Sequence, residues 1–194
     1  MQITVFQLGP LRTNCYIVAD ENTKACAVVD PGDTGSKIAR WLREQGLTPR
    51  FILLTHGHFD HVGGVRDLAA ETGCQVYLCT EDLHMPPQLT AGPLYYTNSY
   101  GEGDSLHLAG LDIGVIQTPG HTPGSGGLLV EDTMFSGDTL FAGSCGRTDL
   151  PGGDWSSMKK SLARLASLES NYWVLPGHGE STSLAEEKRY NPYM

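Results

Sequence analysis

The sequence predicts a single α/β domain that spans residues 1–194. Short apolar runs bounded by glycine, proline or aspartate predict strands, and they alternate with segments whose apolar residues have helical spacing. The chain is long enough for one sizeable core, because 40% of its 194 residues are hydrophobic. Only 18% of the residues are charged, which argues against a disordered chain.

In the first half of the chain, β-rich runs and helical patterns succeed one another. Ser36–Gln45 predicts a helix, because Ile38 and Leu42 share one face and Gly46 follows as a stop signal. Val65–Thr72 predicts a second helix. The first three predicted strands are antiparallel, and the five of this half are Ile3–Gln7, Cys15–Ala19, Cys26–Val29, Phe51–Leu54 and Gln75–Cys79.

The second half repeats this alternation. Asp154 is a suitable N-cap for a helix whose apolar residues run at helical spacing from Trp155 to Leu168. Between the halves, residues 84–103 predict an irregular segment, which is either a plain connector or a lid over a substrate pocket. The predicted strands of this half are Leu106–Leu108, Leu111–Gln117, Leu128–Val130, Thr133–Phe135 and Tyr172–Leu175.

Charge and composition exclude several classes of partner. The formal net charge is −9 and no cluster of Lys and Arg interrupts it, so we expect no nucleic-acid surface. The chain has no run of about eighteen apolar residues, so we expect no membrane span. The first residues also lack the pattern of an export signal. The five cysteines form no Cys-x-x-Cys pair, so we expect free thiols in a reducing cytoplasm.

Residues 55–61, Thr-His-Gly-His-Phe-Asp-His, are the most informative stretch of the chain. They follow a predicted buried strand, and four potential ligands packed this tightly would lose hydration if they were buried without partners. His56 and His58 can converge on one ion, while Asp60 and His61 lie further along the loop and can reach a second. Imidazole and carboxylate together suit divalent transition metals, zinc above all, with iron or manganese as alternatives.

Other strand ends carry the same residue types. His121, Asp138 and His178 each follow an apolar strand and a glycine, and loops at strand ends are where open α/β folds place their sites. His84 and His107 do not follow this pattern, so we expect them to be structural or surface residues.

Four motifs resemble the metallo-β-lactamase superfamily. The resemblance implies a four-layer αββα sandwich with two divalent metal ions along one edge. His56, His58 and His121 would hold one ion, Asp60, His61 and His178 the other, and Asp138 would bridge them. The motifs are His56-x-His58-x-Asp60-His61, Pro119-Gly120-His121-Thr122-Pro123-Gly124, Ser136-Gly137-Asp138 and Pro176-Gly177-His178-Gly179.

Four further segments narrow this resemblance. They are Thr139-Leu140-Phe141, Cys145-Gly146-Arg147-Thr148-Asp149, Gly152-Gly153-Asp154 and Arg189-Tyr190-Asn191-Pro192. With them, the chain resembles single-domain hydrolases of the glyoxalase II (hydroxyacylglutathione hydrolase) type. The resemblance implies cleavage of a small thioester, such as S-lactoylglutathione, by a metal-bridging hydroxide that Asp60 orients. A thiolate, whose conjugate acid has a pKa of about 8.5, departs without a proton donor, which favours thioesters over amides.

The expected substrate-binding residue is Arg147. Two-domain glyoxalase II enzymes carry a Lys and a Tyr for the thiol carrier in this loop, whereas this chain has Arg147 and, near the tyrosine position, Asp149. It also has no room for their extra helical domain, so glutathione is not established as the carrier. Arg147 either clamps a substrate carboxylate bidentately or braces the loop through Asp149 or Asp154.

Three alternatives remain open from the sequence. A persulfide dioxygenase would use a single iron on His56, His121 and Asp138. A lactonase or β-lactamase would use the same hydroxide on another activated carbonyl, and the fold does not separate these activities. A sensor or binding protein would hold the metal without turnover.

Overall fold

Two six-stranded sheets form the framework of the chain. The structure is a computed structural model that describes residues 1–90 and 92–194. The strands of the first half are β1 (Gln2–Leu8), β2 (Thr13–Ala19), β3 (Ala25–Val29), β4 (Thr48–Leu54), β5 (Gln75–Cys79) and β6 (Asn98–Tyr100). Those of the second half are β7 (Ser105–Leu108), β8 (Leu111–Gln117), β9 (Gly126–Val130), β10 (Thr133–Gly137), β11 (Leu140–Phe141), β12 (Ser144–Cys145), β13 (Trp173–Pro176) and β14 (Thr182–Ser183).

The helices connect the strands and cover the sheets. They are α1 (Gly35–Glu44), α2 (Phe59–Val62), α3 (Val65–Thr72), α4 (Pro87–Thr90), α5 (Trp155–Ala166) and α6 (Leu184–Tyr190). The predicted N-cap of α5 is confirmed, because the Asp154 side chain accepts a hydrogen bond from the backbone N–H of Ser157. Within the described residues, none of these helices combines the length and the apolar composition needed to cross a membrane.

Each sheet mixes antiparallel and parallel pairing. The first sheet has the order β1-β2-β3-β4-β5-β6, in which β1, β2 and β3 pair antiparallel and β3 to β6 pair parallel. The second has the order β14-β13-β10-β9-β8-β7, in which β10 and β13 form the parallel pair. Parallel neighbours end at the same edge of a sheet, so the loops that follow β3, β4 and β5 lie side by side.

Three apolar clusters show how the layers stack. One cluster joins α1 and α3 to one face of the first sheet, through Ile38, Leu42, Leu68 and Ile52 among others. A second fills the space between the two sheets, and a third joins α5 and α6 to the outer face of the second sheet. The αββα sandwich that the sequence resemblance implies is therefore confirmed.

Most predicted elements lie within one to three residues of the observed ones. The prediction for residues 84–103 is wrong in part, because Asn98–Tyr100 pairs parallel with β5 and Tyr100 is a core residue. The short elements α2, α4, β11, β12, β14 and α6 were not predicted. Most are too short to show an apolar period, and tertiary contacts define them instead.

Candidate metal centre

The seven predicted ligands meet at one edge of the sandwich. His56 and His58 lie on the loop after β4, and Asp60 and His61 lie on the short helix α2 that continues it. The other three come from the second sheet, where His121, Asp138 and His178 follow β8, β10 and β13. Both halves of the chain therefore contribute side chains to the same place.

Three histidines form the first group, which we call the three-histidine group. One ring nitrogen from each of His56, His58 and His121 lies within 4.8 Å of the others. Nδ1 of His58 is 2.8 Å from Nε2 of His121, and all three side chains are buried. Three converging imidazoles of this kind are a common donor set for zinc or another divalent transition metal.

Asp60, His61 and His178 form the second group, which we call the Asp60 group; its ligand atoms also lie within 4.8 Å of one another. Nε2 of His178 is 3.1 Å from Oδ2 of Asp60, and Nε2 of His61 is 3.6 Å from the same oxygen. This group combines two imidazoles with one carboxylate.

Asp138 lies between the two groups. Its Oδ1 is 3.5 Å from Nε2 of His61 in the Asp60 group. Its Oδ2 is 3.5 Å from Nε2 of His121 in the three-histidine group and 3.6 Å from Nε2 of His178. A carboxylate with its two oxygens directed to both groups has the geometry that a bridging ligand needs.

Several of these atoms lack partners in the protein. Among the described residues, Nε2 of His56, of His58 and of His61 and Oδ1 of Asp138 are buried without a hydrogen bond. Burying polar atoms in this way costs about 1–3 kcal/mol each unless something compensates them, and natural proteins leave few such atoms. Divalent cations would supply the missing partners for this donor set, so the residues present fit a metal centre.

Outer contacts fix the orientation of the ligands. Asp30 Oδ2 lies 2.9 Å from Nδ1 of His61, and the carbonyl oxygens of Leu11 and Arg147 accept from Nδ1 of His178 and of His121 at 3.2 and 2.7 Å. When Nδ1 of each ring is engaged in this way, Nε2 is left to face the ion.

Thr13 and Thr55 hold two further side chains of the site. The Thr13 hydroxyl donates to Oδ2 of Asp60 at 3.0 Å and so fixes the oxygen that faces His61 and His178. The Thr55 hydroxyl donates to Asp30 at 2.6 Å and so fixes the carboxylate that faces His61.

The electrostatic environment differs between the two groups. Burial, followed by the neighbouring imidazoles, holds the pKa of His56 well below its usual range, and burial lowers the pKa of His58 to about 4. For His61, burial acts to lower the pKa, but the carboxylates of Asp138, Asp30 and Asp60 outweigh it and raise the pKa to about 9. His56 and His58 are therefore neutral imidazoles at pH 7, whereas metal-free His61 is an imidazolium.

Glycine is required beside the cluster. A Cβ at Gly177 would lie 2.2 Å from Oδ1 of Asp138 and 2.7 Å from Cε1 of His61. At Gly137, φ is +50° and a Cβ would lie 2.5 Å from the Thr55 hydroxyl oxygen. The glycines that precede His178 and Asp138 in the sequence are therefore explained by close packing around the ligands.

A pocket of about 640 Å³ adjoins both groups. His58, Asp60, His121, Asp138 and His178 line its base, and its other walls are mostly apolar. The remaining lining residues are Leu11, Phe59, Gln88, Leu89, Phe141, Ser144, Cys145, Arg147 and Leu150. Because Gln88 and Leu89 belong to α4, the segment 84–103 borders the pocket, although whether it acts as a lid stays a prediction.

Arg147 lies on the pocket wall and makes an ion pair with its own loop. Its Nε and one terminal nitrogen donate to the two oxygens of Asp149, each at 2.7 Å. Both side chains are largely exposed. The loop brace considered from the sequence is thus present, and substrate binding by Arg147 remains a prediction.

The remaining candidates lie outside the cluster. His84 and His107 are exposed, as expected. Cys145 is half-buried with a free thiol, and burial raises its pKa, which makes it a poor nucleophile at neutral pH. Sequence reasoning missed the buried carboxylates Asp30 and Asp82, although both follow a strand end, as the ligands do.

Comparison with known proteins gives a consistent picture. The family model of the metallo-beta-lactamase superfamily matches residues 8–178 of the chain. The hydroxyacylglutathione hydrolase GloC of Haemophilus influenzae is 31% identical, and the match covers 100% of this chain and 98% of that protein.

Two crystal structures are similar over almost the whole chain. BLEG-1, a B3 metallo-beta-lactamase, has a TM-score of 0.90 and 34% identity, with 99% of each chain covered. TTHA1623 in a di-iron-bound form has a TM-score of 0.85 and 37% identity, with 98% of this chain and 100% of that chain covered.

Gly177→Ala tests the close packing around Asp138. The added methyl group has no room beside the Asp138 carboxylate, so we expect the metal content per chain to fall by at least half. Gly101→Ala is the matched control, because a Cβ there meets nothing within 4 Å. Elemental analysis of both purified variants measures the effect, and equal metal content in the two would contradict the packing argument.

The raised pKa of His61 predicts that metal binding releases protons. An imidazolium must lose its proton before it can coordinate, so metal affinity should rise with pH up to about 9. In the metal-free protein, the attraction between protonated His61 and the carboxylates of Asp138, Asp30 and Asp60 stabilises the fold. This contribution is fully present below about pH 6.5, the usual pKa of histidine, and it is lost as the pH rises to about 9.

Calorimetric titration with zinc at pH 7.5, in buffers of different ionisation enthalpy, counts the protons released. We expect the wild type to release at least one proton, because the pKa values of His61 and His178 are both raised. Asp30→Asn should release fewer, because it lacks one of the carboxylates that raise the pKa of His61. Zinc binding without proton release in the wild type would show that His61 is already neutral.

Proposed function

This chain belongs to the metallo-β-lactamase superfamily, and we propose that it is a binuclear metallohydrolase that cleaves thioesters of the hydroxyacylglutathione type. The observation that carries the proposal is the completeness of both ligand groups at the base of one apolar pocket. The similarity to GloC, a hydroxyacylglutathione hydrolase, supports the substrate class. The proposed ion is zinc, with iron as the alternative, because the similar protein TTHA1623 is described in a di-iron-bound form.

Each group would hold one ion. His56, His58 and His121 would bind the first, and Asp60, His61 and His178 the second, with Asp138 shared between them. Bound there, two divalent ions supply a water of lowered pKa and a Lewis acid for the substrate carbonyl. A single iron on His56, His121 and Asp138, as in the dioxygenase alternative, leaves the rest of this ligand set without a role.

Asp60 has a second task in this proposal. Hydrogen bonds from His178 and Thr13 and the charge of His61 outweigh burial and keep its pKa well below the usual range. The carboxylate is thus ionised at working pH and can accept a hydrogen bond from the attacking water, which orients the water toward the substrate carbonyl.

The walls of the pocket favour a leaving group that needs no proton. Apart from the proposed ligands, its described lining residues include no carboxylic acid, lysine or histidine. Arg147 does not give up its proton at neutral pH, and Cys145 has a raised pKa. A thiolate departs unaided, whereas the amine of an amide must be protonated.

β-Lactam hydrolysis is the second candidate, because BLEG-1, the similar B3 metallo-beta-lactamase, shares the fold over 99% of both chains. A panel with one thioester, one lactone and one β-lactam separates the activities. We expect the highest kcat/KM for the thioester, and a higher value for the β-lactam would replace our assignment. Oxygen uptake with a low-molecular-weight persulfide would identify the dioxygenase alternative, and metal binding without any turnover would identify a sensor.

Asp138→Ala tests the binuclear assignment. Without the carboxylate between the two groups we expect fewer than two metals per chain, and a loss of kcat/KM of about a thousandfold, which corresponds to several kcal/mol of transition-state stabilisation. Asp112→Ala is the control, because Asp112 is exposed and pairs with His107, and neither residue lines the pocket. Full turnover with two bound metals in Asp138→Ala would refute the shared role.

Asp149→Ala tests how the thiol carrier is recognised. Exposed ion pairs are weak, so freeing Arg147 should lower the KM for an anionic carrier such as S-lactoylglutathione by up to about fivefold. The KM for a thioester of a neutral thiol should not change. Arg147→Met in the same background should cancel the gain, and equal changes for both carriers would argue against recognition by Arg147.

A further inference from the structure

Asp82 is a fully buried carboxylate that belongs to neither ligand group. It lies in a 3-10 turn, Thr80–Asp82, directly after β5, and its side chain is 0% exposed. Three protein donors meet it. The backbone N–H of Gly57 donates to Oδ2 at 2.9 Å, the Thr122 hydroxyl donates to Oδ2 at 2.8 Å, and the backbone N–H of Gly124 donates to Oδ1 at 2.7 Å.

These donors come from two loops that carry metal ligands. Gly57 stands between His56 and His58 in the loop after β4, which belongs to the first sheet. Thr122 and Gly124 follow His121 in the loop after β8, which belongs to the second sheet. Asp82 therefore connects the two loops whose side chains form the three-histidine group.

We propose that Asp82 is the positioning residue of the three-histidine group: its carboxylate joins the loop of His56 and His58 to the loop of His121 and so sets the spacing of their ring nitrogens. This inference rests on the two metal groups of the proposed function, but not on the substrate. Asp82 acts through the loops, because it belongs to none of the ligand groups.

The packing at Asp82 leaves little freedom for another arrangement. A Cβ at Gly124 would lie 2.7 Å from Cγ, from Oδ1 and from the backbone nitrogen of Asp82. The Thr122 hydroxyl lies in addition 2.8 Å from the Ser125 hydroxyl, which accepts from the Thr122 backbone N–H at 2.9 Å. The loop of His121 is thus held on the carboxylate by several short bonds.

Asp82 differs from Asp30 in the group it serves. Asp30 accepts from the Thr55 backbone N–H at 2.8 Å and faces His61 directly. Asp30 thus orients His61 of the Asp60 group and, through the Thr55 hydroxyl, which lies 3.2 Å from Nδ1 of His56, also reaches the three-histidine group. The side-chain hydrogen bonds of Asp82 are confined to the loops of the three-histidine group. Substitution of Asp82 should therefore weaken one metal site, whereas substitution of Asp30 should weaken both.

The test measures zinc affinity by competition with a chromophoric chelator in two backgrounds. His178→Ala leaves the three-histidine group intact, and His58→Ala leaves the Asp60 group intact. Asp82→Asn keeps the size of the side chain, but its amide cannot accept from all three donors. We expect it to weaken zinc binding about ten- to hundredfold in the His178→Ala background and by less than twofold in the His58→Ala background.

Glu81→Gln is the matched control. It removes a negative charge from the neighbouring residue, which is exposed and bonds to Cys79 and Gln117 rather than to either metal loop. Its zinc affinity should equal that of the parent in both backgrounds. Asp30→Asn should weaken zinc binding in both backgrounds, because Asp30 contacts His61 directly and His56 through the Thr55 hydroxyl.

Two results would overturn the proposal. One is unchanged zinc affinity of Asp82→Asn in the His178→Ala background, and the other is an equal loss in both backgrounds, which indicates general destabilisation. If Asp82→Asn does not fold, Thr122→Val takes its place, because it removes one donor to the carboxylate at constant shape. We then expect a loss of about three- to tenfold, again confined to the His178→Ala background, and an unselective loss or none would overturn the proposal.

Discussion

The convergence of seven ligand-type side chains in a largely buried space is the constraint on which the rest of this structure depends. Imidazole nitrogens and carboxylate oxygens that face one another without protein partners are costly. They are tolerated where cations replace the lost hydration. This requirement explains why Gly177 precedes a ligand, since any side chain there would fill the space of the Asp138 carboxylate. It also explains why the rings of His61, His121 and His178 each have a fixed partner on Nδ1.

The metal centre and the sandwich depend on each other. Each ligand group combines side chains from the first sheet with at least one from the second, so neither group exists unless the two sheets are packed in register. Hydrogen bonds within the protein also hold the two sheets together. The Tyr16 hydroxyl and the Asn14 amide donate to the carbonyl of Pro176, at 2.7 and 3.0 Å, which joins β2 to the strand that precedes His178. Ions that hold residues from both sheets would add stability, because they bind the folded chain and not the unfolded one.

The ligands could be predicted from the sequence because their signal is local. Each follows an apolar strand, and each is of a residue type that rarely clusters by chance. The layer order came from the resemblance, since strand and helix patterns do not reveal which faces pack together. Asp30 and Asp82 were missed because their partners, Thr55, Gly57, Thr122 and Gly124, are distant in sequence. For α6, a signal was present but overlooked, because Ser183 caps the helix through the N–H of Glu186, three residues later.

The charges of the site create a demand for positive charge. Three carboxylates, those of Asp30, Asp60 and Asp138, lie in or directly around the cluster, and all are buried or half-buried. Each carries one negative charge when ionised, and the histidine ligands are neutral when they bind a metal. Divalent cations bound there would compensate these charges, which are costly at low dielectric. The alternative source of positive charge is the protonation of His61, which the carboxylates already promote in the metal-free protein. A proton on His61 and a bound metal ion thus both offset this negative charge, and they exclude each other at the ring nitrogen of His61 that faces the cluster.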